Sequence, residues 1–493
     1  MAARNEVQTT SIIGAEAERR APRMERSRKA QRVLILGGGF GGIYTAYHLD
    51  RIFRRHAGVE ITLVSRENYF LMTPLLFEAG SGVLEPRHAV NPIRPLFKKA
   101  RFVEATVERI DLEGRKILAR HGPREGIWEL EYDQLVLALG GVTNRKLIPG
   151  SEHALGFKTL RDAIFLRNRI IDLFEQADVE EDPERRKKLL TFVVIGAGLV
   201  GVELMGELTE FTDNLLRSYP RISREWLRFV LVEASDKVLP EMERDMAEYA
   251  AEVLWKRGVS ILTNTPVKRI EAGKVVVETR NMKGETRNDG AGEETGIESE
   301  TILLAAGLGA NPLLGELPLE KARNGRAMVE GSMRVKSRPE VWALGDCAVI
   351  PDAQGKPYPP LAQHALREAK VLAKNIAAVV ERGGRDAELQ AFRYETLGTM
   401  ASLGHYDGVG KLLGVKVYGL LAWWVWRTYY VMQMMRWERR LRVIMDWTVA
   451  ILFRNDIVKL DLFGTEHPTA KLRANEGGFN TKASGNEGER GGR

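Results

Sequence analysis

Two glycine loops constrain this chain more than any other feature. The first lies in Arg32–Gly42, RVLILGGGFGG. The apolar run Val33-Leu34-Ile35-Leu36 is short enough for a buried strand. It stops at Gly37-Gly38-Gly39-Phe40-Gly41-Gly42, and Ile43 to Leu49 reads as the start of a helix. Gly37, Gly39 and Gly42 form G-x-G-x-x-G. In that pattern the first glycine makes a tight turn, the second lets backbone approach a pyrophosphate, and the third lets helix and strand pack closely. The phosphates sit at the helix N-terminus, where free N–H groups and the dipole favour negative charge. The second loop follows the strand Thr191–Ile195 and reads Gly196-Ala197-Gly198-Leu199-Val200-Gly201-Val202-Glu203. One such loop is a weak signal. Two in one chain, each between strand and helix, predict an α/β protein with two Rossmann-like dinucleotide-binding units.

The strand after each loop bears on the ribose. Val59 to Val64 is followed by Ser65-Arg66-Glu67, so Ser65 stands nearest the place usually held by an acid. Arg228 to Val232 ends at Glu233. A carboxylate there accepts both ribose hydroxyls and repels a 2′-phosphate, which predicts NADH over NADPH. Three further strands end in small or acidic residues: Leu135 to Gly140, Thr301 to Gly307, and Val341 to Asp346 with its Gly345-Asp346 turn. Phe70 to Gly82 reads either as the lining of a flavin pocket or as core. Arg280 to Ser299 reads as a surface hairpin or loop.

The chain has 493 residues, which suggests about three domains. Its single cysteine, Cys347, excludes an intramolecular disulfide and any redox cysteine pair within one chain. The formal charge is +7, so an anionic partner is expected, and its location decides which kind. Residues 1–30 lack a secretory apolar run, and Glu6, Glu16, Glu18 and Glu25 speak against a mitochondrial transit peptide. They read as a disordered tail, as do 466–493.

Tyr418 to Met435 is apolar and rich in Trp and Tyr but is interrupted by Arg427 and Gln433. A spanning helix needs ~20 mostly apolar residues, and a central Arg costs ~2.5–3.5 kcal/mol. Trp423, Trp424, Trp426, Tyr429 and Tyr430 suit a bilayer interface instead. From Trp437 to Phe453, Leu441, Ile444, Met445, Thr448, Val449 and Leu452 recur at helical spacing, beside Arg436, Arg439, Arg440 and Arg442. Two amphipathic basic helices lying on an anionic lipid surface fit this pattern. A subunit interface or a core helix pair is the other reading. No nucleic-acid motif accompanies the charge, and no metal-ligand set is assigned.

In this order the pieces resemble the two-dinucleotide-binding-domain flavoproteins, which are glutathione-reductase-like. The resemblance implies FAD on the first loop, with contacts from Gly37, Gly39, Phe40, Gly41 and Gly42. Ser65, Arg66, Thr73, Ala138 and Gly140 would add to that cradle, and Gly345-Asp346 would hold the ribitol. NADH would lie on Gly196, Gly198, Gly201, Glu233 and Gly307, with Glu203 near nicotinamide and flavin. Within that superfamily the chain is similar to the type II NADH dehydrogenases. The supporting stretches are Asn68–Gly82, Leu361–Lys370 (LAQHALREAK), and Tyr418–Leu460. By that resemblance Ala362 and Gln363 lie at the flavin, and Gln363, His364 and Leu366 at the quinone. Some relatives carry a lysine shortly before the G-x-x-A-S-x-G stretch. Here Tyr394-Glu395-Thr396-Leu397 precedes GTMASLG.

The domains expected are 31–160 with 325–404 for FAD, 161–324 for NADH, and 405–465 for membrane attachment. The expected function is FAD-dependent, non-pumping NADH:quinone oxidoreduction by a peripheral homodimer on the cytoplasmic side of the cell membrane. Glu203 would relay a proton or position the nicotinamide. The competing readings are a soluble NADH oxidase or protein-carrier reductase, and a nucleotide-responsive membrane scaffold with little turnover.

Overall fold

A computed structural model describes residues 30–460 apart from 122–125, 280–292, 383–387 and 397. The tails expected at 1–30 (save Ala30) and 466–493, and the tip of the Arg280–Ser299 insert, lie outside the described residues. The base of that insert is a hairpin, with Lys274–Thr279 antiparallel to Glu293–Glu298.

Each glycine loop leaves the middle of its own mainly parallel sheet. In the first sheet the strand order is Arg334–Val335, Arg338–Ala343, Gln134–Leu137, Gln31–Leu36, Val59–Ser65, Arg101–Glu104. Gln31–Leu36 pairs in parallel with Val59–Ser65 on one side and Gln134–Leu137 on the other. This is the switch point where parallel α/β sheets open a crevice beyond the strand ends. The second sheet repeats the plan. Thr191–Ile195 lies between Arg228–Val232 and Thr301–Leu304, with Val259–Leu262 beyond. These strands carry apolar side chains on both faces, as parallel strands covered by helices require. Arg338–Ala343 returns to the first sheet after the chain has built the second, pairing in parallel with Gln134–Leu137.

A three-stranded antiparallel sheet, Gly398–Ser402, Gly408–Leu412 and Val415–Tyr418, follows. It leads into two helices, Gly419–Gln433 and Trp437–Leu452. Among the described residues no helix is long and apolar enough to cross a membrane.

The helix pair is anchored by charge. Glu78, buried in the short helix Leu76–Ser81, accepts from Arg427 Nε at 2.9 Å and Nη2 at 2.8 Å, while Trp447 Nε1 donates to its other oxygen at 2.6 Å. The Arg427 guanidinium also lies over the rings of Trp423 (3.9 Å) and Trp447 (4.7 Å). Of the two readings of Phe70 to Gly82, the structure favours core and docking surface. One sequence reading is corrected: Trp423 and Trp426 are 4% and 1% exposed, so neither faces a bilayer interface. Trp424 and Trp437 are the exposed indoles of the pair, at 62% and 73%. The expected apolar stripe of the last helix does point outward: Leu441, Ile444, Met445, Val449 and Leu452 are all exposed.

Candidate active site

The first loop is built for close approach. Gly37 has φ +114°, and a Cβ on Gly42 would stand 1.9 Å from the Gly37 carbonyl oxygen. No larger residue fits, so the helix Phe40–Ile52 starts directly against the strand end. Gly39, in contrast, has nothing within 4 Å of its missing side chain, which leaves the loop's outer side open. Ala138 closes against Gly37 and Ser65 against Gly38. Arg66 is exposed beside Ser65 and pairs with Glu67 at 3.2 Å. Thr73 opens the turn Thr73–Leu75. Gly140 and Gly345 both have positive φ at neighbouring strand ends.

Asp346 sits in the turn Gly345–Cys347, where burial pushes its carboxyl above the usual range and Lys158 Nζ at 3.8 Å opposes that. Glu368 braces the turn by accepting from Gly345 N–H at 2.8 Å; burial pushes Glu368 up to about 7. An open loop with unobstructed N–H groups and a half-buried acid beside a lysine suit a phosphate at one end and hydroxyls at the other.

The second loop repeats the first. A Cβ on Gly201 would stand 1.8 Å from the Gly196 oxygen. Glu233 accepts from Ala197 N–H at 2.7 Å, so the expected ribose acid is tied into the loop. Gly307, with φ +75°, follows the strand Thr301–Leu304 on the same side.

Just past the second loop lies a buried carboxyl. Glu203 faces inward from the helix Leu199–Leu216 and accepts from Ser402 N–H at 3.1 Å and Trp426 Nε1 at 3.0 Å. Burial outweighs these two donors and pushes the carboxyl up to about 8. One turn later Glu207 is also buried and accepts from Ser81 Oγ at 2.7 Å; burial and the nearby acids push it up to about 8 as well.

Gln363 opens the helix Ala362–Glu381, next to Ala362, and its Nε2 donates to Gly398 O at 3.2 Å. The strand Gly398–Ser402 thus touches Gln363 at one end and Glu203 at the other, ~13 Å apart along an extended chain. Leu366 is half-buried on the same helix. His364 is buried with both ring nitrogens engaged, at 2.9 Å from Pro359 O and 3.2 Å from Thr396 Oγ1. Burial lowers its pKa. It is a packed histidine with no nitrogen to offer a quinone, and that expected contact is withdrawn.

Sequence reasoning missed Ser402, Trp426, Glu207, Glu368 and the Glu78–Arg427 pair. A lone Glu in FLMTPLLFEAG and a lone Arg in LLAWWVWRTYY were the available signals for the pair. Charges buried among apolar residues must find partners.

Two parallel sheets, each with a glycine loop at its switch point, define a two-dinucleotide-binding oxidoreductase. The sequence pattern of the pyridine nucleotide-disulphide oxidoreductases matches residues 31–369. That of the NDH2 C-terminal domain matches residues 396–456. The type II NADH:quinone oxidoreductase of Mycobacterium tuberculosis is 32% identical over 436 residues, covering 86% of this chain and 89% of its own. That of Staphylococcus aureus is 30% identical over 403 residues, covering 81% and 93%. NDH2 from Plasmodium falciparum, solved with NADH, shares the fold with a TM-score of 0.78 at 21% identity, covering 88% of this chain and all of that one. The chain belongs to the type II NADH:quinone oxidoreductases and is an enzyme of that family.

Proposed function

We propose that this protein takes two electrons from NADH and delivers them to a quinone, using FAD on the first glycine loop, while attached to a membrane surface. The carrying observation is the bond from Trp426 to Glu203. It joins a helix of the outward-facing apolar pair to the buried carboxyl on the helix that the second loop opens.

FAD held on the first loop would supply the hydride-accepting and two-electron carrier chemistry. The chain supplies the rest. The helix N-terminus at Phe40 meets the FAD pyrophosphate, with Ser65, Arg66, Thr73, Ala138 and Gly140 around the cradle. Asp346 would accept hydrogen bonds from the ribitol hydroxyls, opposite Lys158. Gly196, Gly198 and Gly201 carry the NADH phosphates, Glu233 its ribose, and Gly307 approaches from the neighbouring strand. Glu203 holds a proton at neutral pH near the nicotinamide and flavin. Gln363 and Leu366 face the quinone, and Ala362 the flavin edge.

Leu441, Ile444, Met445, Val449 and Leu452, with Leu420, Leu421 and Trp424, form the lipid-facing stripe, and the exposed Arg442 adds positive charge. The enzyme works without pumping protons, at the cytoplasmic side of the cell membrane, as a homodimer that presents four such helices.

A sulfide:quinone oxidoreductase from Aquifex aeolicus shares the fold, with a TM-score of 0.62 at 19% identity. Sulfur transfer does not suit this chain. Its one cysteine, Cys347, is fully buried, donates toward Leu137 O and Leu344 O at 3.2 Å, and is pushed up to about 11 by burial.

Anaerobic titration tests the redox reading. The purified protein is yellow, bleaches with one equivalent of NADH, and recovers its colour on adding a short-chain quinone. Colourless protein, or colour that quinone fails to restore, refutes it. Placing Glu at Leu441, Met445 and Leu452 together abolishes binding to anionic vesicles; unchanged binding refutes the membrane assignment.

A further inference from the structure

Two carboxylates already occupy the second glycine loop. Glu233 is braced from the strand end: one oxygen takes Ala197 N–H at 2.7 Å, and the other takes the N–H and hydroxyl of Ser235, each at 2.8 Å. Glu241 comes from the other side. Its Oε1 accepts from Leu199 N–H at 3.1 Å and lies 3.5 Å from where a Cβ on Gly198 would stand.

Leu199 begins the 18-residue helix Leu199–Leu216. The first N–H groups of a helix have no intrahelical acceptor, and the dipole adds partial positive charge there. The segment bearing Glu241 is fastened to the loop, since Leu239 N–H donates to Ala197 O at 2.7 Å, with Leu239 in the left-handed conformation (φ 46°). Lys237 Nζ donates to Met242 O and closes the same segment. Glu241 itself is exposed. The charge of Glu241 also reaches Glu203, adding to the burial that raises that carboxyl.

We propose that Glu241 is an internal occupant of the NADH pyrophosphate cradle, which a dinucleotide must displace from Leu199 to bind. The proposal rests on the reading that the second loop holds NADH. Phosphate oxygens and the Glu241 carboxylate compete for the same N–H donor and carry the same charge sign. Glu241 therefore weakens the affinity for both NADH and NAD⁺ and favours departure of the oxidised product.

The test is equilibrium binding of ADP-ribose to the oxidised holoenzyme by calorimetry. ADP-ribose carries the pyrophosphate without the nicotinamide, so hydride transfer does not enter. Glu241→Gln is expected to lower the Kd about two- to fivefold, with a smaller gain in 1 M salt. Glu241→Ala, which also removes the hydrogen bond to Leu199, is expected to do at least as much. Glu248→Gln removes the same charge from an exposed position on the helix Arg244–Lys256 and is expected to leave Kd unchanged. An unchanged or raised Kd in the Glu241 variants overturns the proposal. So does equal tightening by Glu248→Gln, because that makes the effect one of net charge.

Gly201→Ala tests the underlying reading separately. Its Cβ collides with Gly196 O, so ADP-ribose binding is lost if the second loop is the nucleotide site. If that variant does not fold, Glu233→Ala serves instead. Undiminished binding in either variant refutes the assignment of the loop, whatever Glu241 does.

Discussion

Arg427→Met should loosen the C-terminal helices from the body while leaving their volume nearly intact. The Arg427 and Glu78 side chains are 7% and 3% exposed, and two guanidinium nitrogens reach one carboxylate oxygen. Removing the cation leaves Glu78 buried with the Trp447 N–H as its remaining donor among the described residues. Breaking one side of such a pair costs about 3–5 kcal/mol. At 1.36 kcal/mol per power of ten, that is roughly two to nearly four powers of ten in local opening. Hydrogen exchange of the amides in Gly419–Gln433 reads this directly. The double variant Glu78→Gln with Arg427→Met removes both charges, and most of the loss should return, because a buried pair replaced by neutral groups is often close to neutral. A single variant that speeds exchange less than about tenfold would refute the account. A double variant as loose as the single would also refute it.

Other outcomes follow from the site. Glu203→Gln keeps an acceptor for Ser402 and Trp426 but no transferable proton, so kcat should fall by about a hundredfold or more if Glu203 relays protons. Turnover close to that of the parent enzyme would leave it a positioning role. Glu207 has its folded pKa raised to about 8, so the folded state keeps its proton while the unfolded chain releases it. Stability is then present below about pH 4.5 and is lost as pH rises toward about 8. Glu207→Gln should flatten the fall in Tm over that window, and an unchanged pH dependence would contradict the burial argument. Glu233→Ala should raise the Kd for NADH about ten- to a hundredfold and narrow the preference over NADPH, measured by titration with each cofactor. Gly42→Ala should give protein without bound flavin, visible as a missing absorption band near 450 nm.

The parts legible in sequence were those with a local cause. Strand, glycine loop and helix are contiguous, and both loops sit where the motif spacing puts them. The outward stripe at Leu441, Met445 and Leu452 followed from a period of 3.6 residues. Glu203 was legible only through resemblance, since nothing in GLVGVELMG says which way a glutamate on that helix points. The rest depended on contacts across long stretches of chain. Trp426 is 223 residues from Glu203, and Arg427 is 349 from Glu78. Counting tryptophans in an apolar run does not say which face the fold buries, so Trp423 and Trp426 read as interface residues when they are core. His364 lies in a family-like stretch, yet its ring is fastened by Pro359 and Thr396, a detail that spacing does not encode.

On the proposed reading, the indole bond from Trp426 gives the reaction centre a mechanical link to its greasy footing. Any amphiphile that tilts or peels back the Gly419–Gln433 rod also strips a donor from the proton-bearing acid inside. With the helix pair seated on a membrane as proposed, turnover should register the physical state of the bilayer even when NADH and quinone are saturating.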